Sequence, residues 1–113
     1  MKTLMIFLPL LAATALAQTS TGDAVNGKRL VMRNGCYQCH GTVGQGGLAG
    51  PRLAQTKLAQ ARFIAYVRNP RPGNMPPYRS KVMTDQELAD VYAYLESVPP
   101  PVLLANIPIL NEQ

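Results

Sequence analysis

The chain has no tryptophan, one histidine, two cysteines and seven aromatic residues in all among 113. Each scarcity excludes something. A structural zinc site needs four ligands, and His40, Cys36 and Cys39 are the whole supply of histidine and cysteine. A framework of several disulfides is equally out of reach with one cysteine pair. Acidic residues are few and segregated: none lies between Lys28 and Lys81, a block that holds ten of the eleven basic residues. No apolar run is long enough to read comfortably as a permanent membrane span; the longest, Leu4 to Leu16, is short and rich in alanine. No internal repeat or low-complexity tract is evident.

What is present begins with a leader. Lys2, the apolar stretch and Ala15-Leu16-Ala17 make a secretory signal peptide over residues 1–17, cut before Gln18. The residue after the cut is not cysteine, so no lipoprotein anchor is expected. An uncleaved anchor is the alternative. Export leaves 96 residues, one domain, and a chain of that size buries only a modest core unaided. Residues 18–22 read as a flexible leader, 23–98 as the domain, and 99–113 as a proline-rich and then apolar tail.

The centre of the chain is Cys36-Tyr37-Gln38-Cys39-His40. Two cysteines separated by two residues and followed at once by histidine have the attachment spacing of a c-type haem. Each thiol adds across one vinyl group, and one helical turn matches the separation of the two vinyls. The next residue can then offer an imidazole nitrogen to the iron. A thioredoxin-type disulfide, half of a zinc site and two buried free thiols are the competing readings of the pair. A large flat apolar group would also supply the core that a short chain with few aromatics lacks.

Helical signals surround this centre. Asp23 can cap a first helix that Gly35 stops, with Gly27, Leu30 and Val31 on one face and Met32 packing along it. Gly27 costs helix propensity, which a close helix–helix contact would explain. Five glycines between Gly41 and Gly50 make a loop, closed by Pro51 and Leu53. Thr56 can cap a second helix running to Arg68, with Leu58, Ala61, Ile64 and Ala65 as its apolar face. Residues 70–77, with four prolines and a glycine, cannot be helix or central strand. Thr84 and Glu87 form a capping box, Met83 can staple onto Leu88, and Leu88, Val91, Leu95 and Val98 recur at helical spacing until Pro99-Pro100-Pro101 ends the helix.

With His40 used, a second protein ligand to the iron must be methionine, a weaker donor such as lysine, or absent. Met32 and Met83 have packing explanations. Met75 alone sits in an irregular segment, stiffened by Pro76 and Pro77, and is the favoured ligand, with Met83 next. A histidine–methionine pair raises the reduction potential and fills both axial positions, which describes an electron carrier.

On these residues, together with Gly50-Pro51-x-Leu53, Asn74-Met75-Pro-Pro-Tyr78 and Ala93-Tyr94-Leu95, the chain resembles the class I monohaem bacterial cytochromes c from about Asp23 to Val98. The resemblance implies an all-α fold of three to five helices wrapped around one covalently bound haem c, with the first and last helices crossing near Gly27 and Tyr94. It also implies a hydrogen bond from the His40 ring to the Pro51 carbonyl. Val31, where many relatives carry an aromatic residue, and the extra Gly35 before Cys36 depart from the pattern. The function expected is a soluble periplasmic one-electron carrier, or in a close variant the cytochrome subunit of a periplasmic dehydrogenase, with the apolar tail as a docking surface. Its partner would be a redox protein with an acidic surface. Nucleic acid and stable membrane insertion are not expected. The alternative is a haem enzyme or gas sensor with an open distal site.

Overall fold

A computed structural model describes residues 20–111, apart from the side chains of Leu104 and Asn111. The expected signal peptide and its cleavage site lie outside the described residues. Every regular element described is helical: α1 (Ala24–Arg33), α2 (Cys36–His40), α3 (Gln60–Arg68), α4 (Asp85–Ser97), a single 3-10 turn (Leu104–Asn106) and α5 (Pro108–Asn111). The all-α expectation is met.

The caps are those the local residues dictate. The Asp23 carboxylate accepts from the backbone N–H of Val25 and Asn26, satisfying two of the orphan donors at the start of α1. The capping box of α4 is complete, with Thr84 Oγ1 accepting from Glu87 N and the Glu87 carboxylate accepting from Thr84 N. That backbone bond, together with Arg33 at 2.9 Å, holds the Glu87 carboxyl below its usual range. Met83 and Leu88 are both buried in the core beside this cap.

Helices α1 and α4 cross where Gly27 meets Asp90 and Tyr94. A Cβ on Gly27 would fall inside the Asp90 carbonyl oxygen and 2.8 Å from the Tyr94 Cβ, so only glycine permits this approach. Leu30, Val31, Leu88, Val91, Tyr94 and Leu95 close around the crossing. Asp90 itself is buried, 5% exposed. Its carboxylate accepts from Asp23 N at 2.8 Å, Asn26 Nδ2 at 2.7 Å and Gln86 Nε2 at 3.0 Å. Burial pushes this carboxyl upward, but the three donors outweigh it and hold it below the usual value. A negative charge thus sits at the positive end of α1, contributed by a helix from the far end of the domain.

Four features differ from the sequence reading. Helix α3 starts at Gln60, not after Thr56. The Thr56 hydroxyl accepts from Leu58 N in a local turn, and Tyr92 donates to the Leu58 carbonyl, so the backbone groups of a longer helix are engaged elsewhere. The face of α3 also differs. Phe63 is buried with Ile64 and Val67 packed against the core, while Leu58, Ala61 and Ala65 are exposed. The larger side chains win because burial scales with apolar area, and Phe63 gains a tilted ring contact with Tyr92 at 5.5 Å. Met32 is 42% exposed and does not pack along α1 as expected. Residues 20–22 are held, not loose: Gln60 Nε2 donates to Ser20 O at 2.9 Å and Gln86 Nε2 to Thr21 O at 3.0 Å.

Candidate functional site

Asn34 ends α1, Gly35 reverses the chain with φ of 75°, and α2 follows as little more than one turn. That turn delivers Cys36, Cys39 and His40 to the wall of a cavity of about 660 Å³. The glycine loop then folds back beneath His40, with Gly46 N donating to His40 O at 2.8 Å and the Leu53 and Ala54 amides donating to Gly44 O. Gly50 lies so close that a Cβ there would stand 2.9 Å from both His40 Nδ1 and Cys39 O. This close approach brings Pro51 under the imidazole.

His40 Nδ1 is 2.8 Å from the Pro51 carbonyl oxygen. A carbonyl only accepts, so Nδ1 donates, and Nε2 is the ring nitrogen left for a metal. The bond implied by the resemblance is present. Cys36 is half-buried and Cys39 exposed, and no disulfide joins them. Burial pushes the Cys36 thiol up from its ordinary value, with its own backbone N–H and the Tyr78 hydroxyl pulling the other way. Tyr78 is likewise pushed up, first by burial and then by the negative charge the two cysteines can carry, and its phenol stays protonated and donates to Asn34 O at 2.9 Å.

The rest of the cavity is mostly apolar, with Arg52, Thr56 and Asn74 as the polar exceptions. Val31, Leu53, Phe63, Val67, Leu88, Val91 and Leu95 line it, and Met75, Pro76 and Tyr78 reach it from the proline-rich segment. The structure therefore gathers every residue singled out from sequence, Cys36, Cys39, His40, Pro51, Leu53 and Met75, around one cavity. Met83 also lines it while fully buried; Met32 does not. Sequence reasoning missed Phe63, Tyr66 and Val67 from α3. Their i, i+3, i+4 spacing was a usable signal, masked by the equally periodic alanine face.

The donor set and shape suit a haem. Two thiols and an imidazole share one wall of a mostly apolar cavity, with a methionine thioether also lining it.

Comparison with known proteins agrees. The family model described as "Cytochrome C oxidase, cbb3-type, subunit III" matches residues 22–95. "Cytochrome c-555" of Methylococcus capsulatus is 28% identical over 87 residues, spanning 75% of this chain and 70% of its own length. No solved structure matches the chain.

Proposed function

Because the chain belongs to the cytochrome family described as cytochrome c oxidase, cbb3-type, subunit III, and is a monohaem electron-transfer protein and not an enzyme, we propose that it is a periplasmic carrier whose haem c is bound by Cys36, Cys39, His40 and Met75. When bound, haem c supplies a one-electron Fe(III)/Fe(II) couple.

The observation that carries the proposal is the His40–Pro51 bond inside a cavity that both cysteines and Met75 share. Cys36 and Cys39 would hold the group as thioethers. His40 offers Nε2 while Pro51 fixes its ring and enriches it in electron density. Met75 offers a soft thioether that favours Fe(II), raises the potential and keeps small molecules from the sixth position. The apolar walls exclude water, which acts in the same direction. Met83 is the second candidate ligand, but its burial in the core beside the α4 cap already accounts for it. The leader sequence supports export. No helix among the described residues is long and apolar enough to cross a membrane.

The test is an absorption spectrum, oxidised and reduced, with and without carbon monoxide. The wild type should show a c-type spectrum with a weak far-red methionine–Fe(III) band and no response to carbon monoxide. Met75→Ala should lose the band, bind carbon monoxide, and drop in potential by a sizeable fraction of the roughly 0.8 V that axial ligands span. A wild type that already binds carbon monoxide has an open sixth position and overturns the carrier reading in favour of a sensor or haem enzyme.

The partner we propose is a redox protein with an acidic docking surface, because the basic block from Lys28 to Lys81 contains no acid. Electron-transfer rates should fall as ionic strength rises from about 0.01 to 0.15 M and the screening length shrinks from about 30 to 8 Å. Rates indifferent to salt count against it. A second reading, a subunit of a larger oxidoreductase complex such as a dehydrogenase, is favoured by the exposed Val102, Leu103, Ile109 and Leu110 of the tail. A second polypeptide co-purifying from the native host would support that reading, and a monomer isolated alone would oppose it.

A further inference from the structure

The proline-rich segment that carries Met75 has few ties of its own. Pro70, Pro72, Pro76 and Pro77 have no backbone N–H to give. Asn74 N reaches Arg71 O, and Asn74 Nδ2 reaches the Tyr66 hydroxyl at a long 3.4 Å. Three residues after Met75 the situation reverses. Tyr78 N donates to Val67 O at 3.1 Å, its hydroxyl donates to Asn34 O at 2.9 Å, and its carbonyl accepts from Arg68 Nη1 at 2.6 Å. Arg68 is itself largely enclosed, with a side chain 15% exposed, and its other arm pairs with Asp85 at the start of α4. One guanidinium therefore joins the end of α3, the end of the Met75 segment and the beginning of α4. Through Tyr78 the join continues to Asn34, two residues before Cys36. The segments carrying the two proposed axial ligands are thus linked through protein, independently of any bond to iron.

We propose that Arg68, acting through the Tyr78 carbonyl, is a positioning residue that holds the Met75 segment against the cavity and so keeps the sixth coordination position closed. The inference rests on the assignment of Met75 as a ligand. A charge-assisted bond to a carbonyl is about twice as strong as a neutral one, and no other side chain contacts this carbonyl among the hydrogen bonds described. Removing it leaves the Asn34 and Val67 bonds at Tyr78 but loosens the segment at its better-anchored end. An external ligand binds in proportion to the fraction of molecules with the position open, so its apparent affinity reads the looseness directly.

The test uses the haem-loaded protein with imidazole as probe for the oxidised form, and the methionine methyl resonance of the reduced form as a direct report on the ligand. In Arg68→Met, which keeps the aliphatic bulk, imidazole affinity should rise about tenfold or more while the methionine resonance persists but broadens. Arg68→Lys, which keeps one charged donor, should fall between the two. Melting curves locate a temperature at which all three proteins are fully folded, and the comparison is made there, so a merely structural role would leave imidazole affinity unchanged. Equal affinity in wild type and Arg68→Met, with the same sharp methionine resonance, overturns the positioning role and leaves the ligand assignment standing. A wild type with no methionine resonance overturns the ligand assignment, and the positioning role with it. Should Arg68→Met not fold, Arg68→Lys carries the comparison alone, and wild-type affinity in that variant also counts against the proposal.

Discussion

Produced as the Cys36→Ser/Cys39→Ser double variant, the chain should be colourless and largely unfolded. Among the described residues, six of the ten buried apolar ones, Val31, Phe63, Met83, Leu88, Val91 and Leu95, line the cavity, so more than half of that core faces the space the haem would fill. A dry void costs on the order of 24 cal/mol per Å³, which for about 660 Å³ is an upper bound of roughly 16 kcal/mol. Flooding the cavity with water avoids part of that cost but wets the apolar walls instead. A domain's whole stability is only about 5–15 kcal/mol. The α1–α4 crossing is the largest remaining contact, and two crossed helices without a filled core do not make a stable domain of this size. Far-ultraviolet circular dichroism and amide hydrogen exchange of the purified variant check this. A colourless protein with native helix content and a cooperative melt would show that the crossing suffices without the haem.

The second large effect is expected at Gly27. In a solvent-exposed helix interior, glycine to alanine gains about 1 kcal/mol of propensity. Here the new methyl would collide with the Asp90 carbonyl oxygen, which is backbone and cannot rotate away, and with the Tyr94 Cβ at 2.8 Å. The helices must separate, and with them go the core packing around Leu30 and Leu88 and the bonds from Asp23 N and Asn26 Nδ2 to the Asp90 carboxylate. Overpacking alone costs about 1–3 kcal/mol, and each buried polar group left without a partner adds about 1–3 kcal/mol. The loss should outweigh the propensity gain several-fold, giving a net destabilisation of about 3 kcal/mol or more. Denaturant unfolding of the haem-loaded protein measures it. Gly47→Ala is the control, because a Cβ at Gly47 meets nothing within 4 Å and should change stability by less than about 0.5 kcal/mol. Equal midpoints for Gly27→Ala and the control would show that the crossing tolerates a methyl group.

What could be read from sequence was what local rules determine. The Asp23 cap, the Thr84–Glu87 box and the stop at Pro99 depend on residues within a few positions of each other, and they stand where expected. Gly27 was legible because a glycine in a helix needs a reason. Of the six candidate site residues, Cys36, Cys39 and His40 were marked by the spacing that attachment chemistry dictates, Met75 by having no packing explanation, and Pro51 and Leu53 through the family resemblance; all six line one cavity. The misses are non-local. Asp90 takes its hydrogen bond from an amide 67 positions away, and nothing around Ala89-Asp90-Val91 marks it as buried. Arg68 entered the sequence reading only as the end of a helix, yet its partners are a carbonyl ten residues on and a carboxylate seventeen residues on. In α3 two periodic faces competed, and the one with the larger side chains was buried through contacts with α4 that the local pattern does not show. Residues 20–22 read as loose because glutamine side chains that tie backbone carbonyls leave no pattern.

The pairing of α1 with α4 also sets an order of events. The two helices that close the domain are separated by almost its whole length, and the thiols and imidazole lie just after the first of them. Because a chain emerges from its N-terminus, Cys36, Cys39 and His40 become accessible while Asp85–Ser97 is still to come, and Asp90 and Tyr94 are not yet there to clasp Gly27. Closure of so long a loop is slow compared with the coiling of a single helix. For that interval the cysteines are carried on an open chain, reachable from every side. The topology thus reserves a period, before the fold shuts, in which a bulky group can be joined to both sulfurs without the finished domain having to open again.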